Sequence, residues 1–140
     1  MTRDALRARW AEVGDKIVKL AEEYPEDRYD ARPAAGVRSF AEQLRHVAFW
    51  NEYAGRSIRG EAVDGEANEL PGARYPGKRE IVPALRASFD DVGRTLGAGD
   101  DAPDGAAQDT VVSFIEHGGE HYGQLVMYYR LDGMVPPASR

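Results

Sequence analysis

The sequence predicts an all-α protein, specifically a four-helix bundle with long connections between helices 2 and 3 and between helices 3 and 4. Apolar residues recur every three or four positions in four separate segments, and no segment has the alternating pattern of a strand. Stretches rich in glycine and proline separate these segments. A chain of 140 residues has the size of one ordinary domain, so we expect residues 1–140 to form a single bundle.

The composition argues against several classes of function. The net charge of −6 and the scattered basic residues disfavour both nucleic acid and acidic membrane surfaces as partners. No apolar run reaches the ~20 residues of a membrane span, and the N-terminus lacks the apolar core of a signal peptide. We therefore expect a cytoplasmic protein. Because the chain has no cysteine, a metal site must be built from histidine, carboxylate and amide groups.

Two helices are predicted in the first half of the chain. The first carries its apolar residues on one face and ends at Pro25, which cannot continue a helix. The second begins with the capping box Ser39-Phe-Ala-Glu42, in which the serine and the glutamate satisfy each other's free backbone N–H groups. We expect this second helix to run to about Gly60.

The second predicted helix carries unusual polar residues. His46 falls on a flank of the helix, beside Gln43 and Trp50, whereas Arg45 falls on the predicted solvent face. Taken alone, such a histidine is most often an ordinary residue at a helix boundary. Asn51 falls on the core face, where a buried amide needs partners. It would either orient a ligand or bond to a neighbouring helix.

Long connections flank the third predicted helix. Residues 60–77 are long for a connection inside a compact domain, which indicates either a functional loop or a crossover that spans the bundle. Residues 97–109 have the composition of an acidic, solvated loop. Asp109 or Thr110 can cap the fourth helix, which we expect to end at about Leu131.

The fourth predicted helix carries the feature on which the functional interpretation depends. His117 and His121 lie four residues apart, one above the other on the same helix face, and Gln124 and Tyr128 share that stripe. Two imidazoles in this register can converge on one metal ion, and His46 is the only histidine left to supply a third ligand. The alternative is a pair of core histidines bonded to carboxylates, with no metal.

Two glycines lie inside the same helix. At Gly118 and Gly119, glycine is less favourable than alanine by about 1 kcal/mol per residue. A structural explanation is the close approach of another helix, and a functional one is space around a metal ion. The spacing alone does not separate the two.

A site with three neutral imidazoles and one open position is a catalytic arrangement for Zn²⁺, and it is equally compatible with Ni²⁺ or Fe²⁺. A water or thiol at the open position loses its proton more readily than in solution. The second nitrogen of each imidazole also needs a partner, for which Glu116, Glu120, Gln124 and Asn51 are candidates. Glu120 projects about 100° away from its neighbour His121, so it is a poor direct ligand.

Three segments of the chain match a family pattern: SFAEQLRH at residues 39–46, HGGEHYGQL at residues 117–125 and LDGMVPPAS at residues 131–139. In these segments the chain resembles the DinB-like (YfiT) family of metal-binding four-helix bundles, and the resemblance extends over nearly its whole length. It implies that His46, His117 and His121 bind a divalent ion, usually zinc or nickel. It also implies a homodimer.

The resemblance also implies candidate activities, because relatives include transferases that use low-molecular-weight thiols and a thiol-dependent isomerase. The leading hypothesis is a metal-dependent thiol S-transferase. In this hypothesis a small thiol is held at the metal, and an electrophilic substrate enters past the connection 60–77, near Trp50 and Tyr53.

Two other functions stay open. One is a metal-dependent hydrolase, in which Glu116 or Glu120 shuttles a proton and Tyr122 or Tyr128 polarises a substrate carbonyl. The other is a non-catalytic binding or stress-response module whose metal, if it has one, is structural. The catalytic candidates are therefore Glu116, Glu120 and Tyr128.

Overall fold

The protein folds as four α-helices without a β-strand, which confirms the predicted all-α bundle. The structure, a computed structural model, describes every residue from Met1 to Arg140. The helices are α1 (Arg3–Glu23), α2 (Phe40–Ile58), α3 (Lys78–Leu96) and α4 (Gly105–Leu131). Helices α1 and α2 each pack against both α3 and α4. None of the helices has the length and apolar character needed to cross a membrane.

Side-chain caps define where α1, α2 and α4 begin. The predicted capping box is present at α2, where the Glu42 N–H donates to the Ser39 hydroxyl at 3.2 Å and the Ser39 N–H donates to the Glu42 carboxylate at 3.3 Å. The predicted cap of α4 is wrong, because Asp104 caps this helix instead of Asp109 or Thr110. Helix α4 begins earlier than predicted because two alanines, which favour helix, follow Gly105.

A cluster of aromatic rings fixes the end of the bundle at which α2 begins and α4 ends. We call it the tyrosine cluster, and it consists of Tyr24, Tyr29, Phe40, Tyr128 and Tyr129, all of them buried. The ring centroids of Tyr24 and Phe40 are 4.0 Å apart. All four hydroxyls donate hydrogen bonds, one to the Asp132 carboxylate and three to backbone carbonyls. The cluster therefore leaves no hydroxyl unsatisfied.

The connection at residues 59–77 lies along α2 and covers one side of it. The Leu70 N–H donates to the Arg45 carbonyl at 3.3 Å, and Leu70 itself is buried. The Arg45 guanidinium forms an ion pair with Glu69 at 3.0 Å and donates to the Tyr75 carbonyl at 3.1 Å. Arg45 is therefore buried, contrary to its predicted place on the solvent face, because this connection covers it. Arg59 at the end of α2 forms an ion pair with Asp91 near the end of α3, so the two helices run parallel and this connection is a crossover that spans the bundle.

Candidate metal centre

His46 reaches the interior from α2 and is only 6 % exposed. Its Nδ1 lies 2.7 Å from the backbone carbonyl oxygen of Asn68. Asn68 has a φ of 58°, in the left-handed region that asparagine tolerates better than most residues. The connection after α2 thus aims a backbone carbonyl at the imidazole. His46, predicted on a flank of the helix, becomes an interior residue because the connection packs over it.

His117 and His121 come from α4 and lie against each other, as their four-residue spacing predicts, with ring centroids 4.4 Å apart. The Nδ1 atom of His121 lies 2.6 Å from the Oε1 atom of Gln43 on α2. Gln43 is held in turn by α4, because its amide nitrogen donates to Gln124 Oε1 at 2.7 Å. A hydrogen-bonded path between the two helices therefore orients the His121 ring.

The three imidazoles converge on one point. One ligand atom from each of His46, His117 and His121 lies within 4.8 Å of the other two. The Nε2 atoms of His46 and His117 are 3.1 Å apart. Two nitrogens that each bind a tetrahedral ion at about 2.0–2.1 Å stand about 3.3 Å apart. The donor geometry therefore fits a single divalent ion with only small movements of the rings.

The hydrogen bonds assign the protons on two of the rings. The Asn68 carbonyl and Gln43 Oε1 can only accept, so Nδ1 of His46 and Nδ1 of His121 are the protonated nitrogens. Each of these rings therefore presents the lone pair of its Nε2 atom, which is the form that binds a metal ion. His117 differs, because its Nδ1 is the only buried side-chain polar atom in the protein without a hydrogen-bond partner.

Burial keeps all three imidazoles neutral. It lowers the pKa of His117 to about 4 and that of His121 to about 3, and it lowers the pKa of His46 as well. The positive charge of the Arg38 guanidinium lowers the pKa of each ring further. Metal binding requires neutral imidazoles. Because these rings are already neutral at neutral pH, they lose no proton when an ion binds.

Aromatic rings form a wall beside His117. The rings of Trp50 and Phe114 stack with centroids 5.9 Å apart and an angle of 23° between their planes. The His117 centroid lies 5.9 Å from that of Phe114 and 6.4 Å from that of Trp50. The Trp50 indole N–H donates to Asn68 Oδ1 at 2.8 Å. Asn68 therefore positions the aromatic wall with its side chain and His46 with its carbonyl.

The two glycines of α4 have different explanations. A Cβ atom at Gly118 would lie 3.2 Å from Val13 and 3.7 Å from Ile17, so glycine permits the close approach of α1. A Cβ atom at Gly119 would meet nothing within 4 Å. The structural explanation therefore holds for Gly118, and no contact of the protein requires glycine at position 119.

The fold does not place the carboxylates of Glu116 and Glu120, the candidate partners of the imidazoles, beside the histidines. Glu116 and Glu120 are exposed, and neither makes a hydrogen bond to any of the three rings. Each precedes a histidine by one residue and so projects about 100° away from it on the helix. The expectation that they support the imidazoles is therefore wrong. Asn68 and Gln43 provide that support instead.

The remaining candidates occupy other parts of the bundle. Tyr128 is buried in the tyrosine cluster, where its hydroxyl donates to the Arg38 carbonyl. Asn51 donates to Ser88 Oγ at 3.1 Å, which selects the interpretation that it bonds to a neighbouring helix. Tyr122 is half-buried and lines a surface depression with residues of α1. None of the three contacts an imidazole through its polar group.

Sequence reasoning missed the contribution of Asn68, because a backbone carbonyl leaves no signal in residue type or spacing. The position of Gln43 did carry a signal. It lies three residues before His46, on the same flank of α2, although the residue it would meet on α4 could not be read from the sequence.

Comparison with known protein families supports this assignment of the fold. The family model described as the DinB superfamily matches residues 9–125 of the chain, a range that includes His46, His117 and His121. A comparison with curated proteins finds no match. The match covers most of the chain and thereby shows its family.

Proposed function

Because the chain belongs to the DinB superfamily and brings three histidines together, we propose that it is a metal-dependent thiol S-transferase. In this proposal His46, His117 and His121 hold one divalent ion, zinc or nickel. The set of donors is the observation that carries the proposal. Three neutral imidazoles converge without a carboxylate, which leaves a tetrahedral ion one position for an exogenous ligand.

The ion would lower the pKa of a low-molecular-weight thiol at that position, so that the thiolate forms near neutral pH. The protein's own residues supply positioning. Asn68 and Gln43 hold two of the rings, and the wall of Trp50 and Phe114 limits access of water beside His117. The thiol releases its proton to solvent, and its sulfur forms a bond to the electrophilic carbon of the second substrate. The leaving group departs with the electron pair of the broken bond.

The hydrolase alternative has less support in the geometry. It needs a carboxylate near the metal as a proton shuttle, and both Glu116 and Glu120 are exposed and make no hydrogen bond to the rings. Hydrolysis also needs an acid that protonates its leaving group, whereas transfer to a thiol can release a stable anion without one. The arrangement of donors and the exposed positions of Glu116 and Glu120 therefore favour the transferase.

The proposal is tested by loading the protein with zinc or nickel and measuring the loss of free thiol in the presence of an electrophile such as 1-chloro-2,4-dinitrobenzene. We expect metal-dependent consumption of thiol that the double variant His117→Ala, His121→Ala lacks. The variants Glu116→Gln and Glu120→Gln serve as matched controls and retain the activity. If the loaded protein consumes no thiol with any electrophile of a panel, the transferase proposal fails.

A structural metal makes a different prediction. In that case chelation lowers the melting temperature substantially, and no turnover appears with any thiol, electrophile or ester. The proposal also includes a homodimer, on the resemblance to the family, and a cytoplasmic location, on the composition of the sequence. Light scattering on the purified protein tests the oligomeric state, and a monomer at working concentration would contradict that part.

A further inference from the structure

Asn68 joins one of the imidazoles to the aromatic wall through two parts of the same residue. Its backbone carbonyl oxygen lies 2.7 Å from His46 Nδ1, and its side-chain Oδ1 accepts the Trp50 indole N–H at 2.8 Å. The ring centroids of His46 and Trp50 are 6.4 Å apart. No other residue of the connection 59–77 forms a hydrogen bond with a histidine, so Asn68 alone links this connection to the three rings in that way.

The segment 63–67, which precedes Asn68, has no hydrogen bond of its own to α2. Its one hydrogen bond lies within the segment and reaches no other element. Its backbone packs on the indole of Trp50, because a Cβ atom at Gly65 would lie 2.6 Å from the Cη2 atom of that ring. The indole is therefore contacted by Gly65 at its six-membered ring and by Asn68 at its N–H. Its position depends on how firmly Asn68 is held.

The backbone conformation of Asn68 determines where its carbonyl points. Its φ of 58° lies in the left-handed region, and it is the only non-glycine residue of the protein with a positive φ. Asparagine and glycine adopt this conformation readily, whereas a β-branched residue does so only under strain. The contact with His46 therefore depends on the residue type at position 68, although the carbonyl itself belongs to the backbone.

The contact between His46 and Asn68 becomes stronger when an ion binds the other side of the ring. The hydrogen bond uses Nδ1–H, whereas the ion binds the lone pair of Nε2. A cation at Nε2 withdraws electron density from the ring and makes the N–H a charge-assisted donor. Hydrogen bonds of that kind are shorter and roughly twice as strong as those between neutral groups. The Asn68 carbonyl is then held more firmly, and its side chain with it.

We propose that Asn68 is a positioning residue that couples the metal ion to the aromatic wall. Binding of the ion holds Asn68 through His46, and Asn68 holds the indole of Trp50. The wall beside the metal and the segment 63–67 packed on it therefore become ordered together when the ion binds. The inference rests on the metal centre of the proposed function and is independent of the reaction. The surface that a second substrate meets is then completed only in the metal-loaded protein.

The two tryptophans of the chain provide the signal and its internal reference. The Trp10 indole N–H donates to the Phe89 carbonyl at 2.9 Å, where α1 packs on α3, and Trp10 is only 2 % exposed. NMR relaxation of isotope-labelled protein gives an order parameter for each indole N–H, with zinc and without it, and the zinc content of each sample is measured. We expect zinc to raise the order parameter of Trp50 to about 0.85, the value of a rigid group, and to leave that of Trp10 unchanged.

The order parameter separates local ordering from a general gain in stability. It reports motion on the picosecond-to-nanosecond timescale within the folded state, so stabilisation of the whole fold by zinc does not by itself change it. An unchanged order parameter of Trp50 in protein that has taken up the ion overturns the coupling.

Two substitutions at position 68 separate the carbonyl from the side chain. Asn68→Gly adopts the positive φ and keeps the carbonyl, so it should bind zinc within about threefold of the parent. Because this variant lacks Oδ1, zinc should no longer raise the order parameter of Trp50 in it. Asn68→Val is strained at this φ and moves the carbonyl, so its affinity for zinc should fall about tenfold or more.

Ala67→Val is the matched control, because it introduces the same side chain at an exposed neighbouring residue that has no positive φ. It should keep the zinc affinity of the parent. Equal losses in Asn68→Val and Ala67→Val overturn the role of the Asn68 carbonyl. A normal response of Trp50 to zinc in Asn68→Gly overturns the role of the Asn68 side chain.

The coupling and the proposed function fail separately. If the loaded protein consumes thiol while Trp50 responds to zinc no more than Trp10, the coupling is overturned and the transferase stands. If Trp50 becomes ordered and no thiol is consumed with any electrophile, the transferase fails and the coupling stands. Absence of zinc from the parent overturns both, because each requires the ion at the three histidines.

Discussion

Two clusters of rings each include residues of α2 and α4, and they differ in whether their polar atoms have hydrogen-bond partners. In the tyrosine cluster every hydroxyl donates a hydrogen bond, for example from Tyr129 to the Leu20 carbonyl at 2.7 Å. In the histidine cluster the Nδ1 atom of His117 is buried without a partner, and two further rings present the lone pairs of Nε2 atoms. His46, His121 and the tyrosine cluster are buried and His117 is half-buried, and each cluster includes residues of both α2 and α4.

This difference distinguishes a cluster that stabilises the fold from a cluster that is suited to bind a ligand. A buried polar atom without a partner destabilises the fold by about 1–3 kcal/mol, so a cluster that serves only folding should satisfy all of its polar atoms. The tyrosine cluster does so. The histidine cluster instead keeps neutral nitrogens directed at a common point, which has no value for packing and suits a metal ion.

The largest expected effect is on stability and lies in the tyrosine cluster. Tyr129 is fully buried, so Tyr129→Ala should lower the free energy of unfolding by about 3–5 kcal/mol through the loss of packing. Denaturant unfolding measures this change. The metal content of the folded fraction should stay that of the parent, and a loss of metal binding from folded protein would contradict the separation of the two clusters.

The next effect concerns the partner of a histidine. Gln43→Leu removes the acceptor of His121 Nδ1, so the affinity for zinc should fall about 10- to 100-fold with little change in the helical content. Competition with a chromophoric chelator measures the affinity. The control is Gln124→Leu, because this exposed residue contacts Gln43 and not the ring. An equal loss of affinity in both variants would refute a direct role for Gln43.

The metal-free protein should lose stability as the pH falls below about 6.5. The unfolded chain takes up protons on its histidines at their ordinary pKa of about 6.5, whereas burial lowers the pKa of His117 to about 4 in the folded state. The unfolded state therefore binds more protons between these pH values, which destabilises the fold as the pH falls. Urea unfolding at pH 7.5 and at pH 5 measures the change.

His117→Leu should weaken this dependence on pH. The substitution removes one of the titrating groups. Between pH 7.5 and pH 5 the variant should therefore lose about 1 kcal/mol less stability than the parent loses. Tyr129→Phe is the contrasting variant from the other cluster, and it should lower stability by about 1 kcal/mol at both pH values. A parallel response of the two variants to pH would contradict the assignment of a neutral, half-buried His117.

The smallest effects come from the paired glycines of α4. Gly119→Ala should raise stability by about 0.5–1 kcal/mol, because its Cβ meets nothing and alanine favours helix. Gly118→Ala should give a smaller gain or a loss, because its Cβ lies 3.2 Å from Val13. Thermal unfolding of the two variants tests the difference. Metal affinity should change in neither, and a change in Gly118→Ala alone would revive the explanation that glycine provides space around the ion.

The sequence was sufficient for the features that depend on neighbours along the chain. Helical periodicity identified the four helices, the capping box placed the start of α2, and the four-residue spacing brought His117 and His121 together. These features follow from local geometry, which residue type and spacing determine.

The features that depend on the connection 59–77 could not be predicted. The burial of Arg45 and His46 and the carbonyl that Asn68 directs at His46 all require this irregular segment to lie along α2. Its path is set by tertiary contacts such as the pair of Arg45 and Glu69, not by any periodic pattern. Asn68 lies in this connection, so its contact with His46 could not be predicted, whereas the contact of Gln43 with His121 depends on how α2 and α4 pack.

The most direct test of the metal centre is elemental analysis after equilibration with zinc or nickel and removal of the excess ion. The samples are the parent protein, the double variant His117→Ala, His121→Ala, and the variant Glu120→Gln. The last is a control that changes an exposed residue of the same helix and is prepared in the same way. We predict about one ion per chain in the parent and in Glu120→Gln, and none in the double variant. The absence of metal from the parent would contradict the metal centre and identify the three histidines as residues of the bundle core.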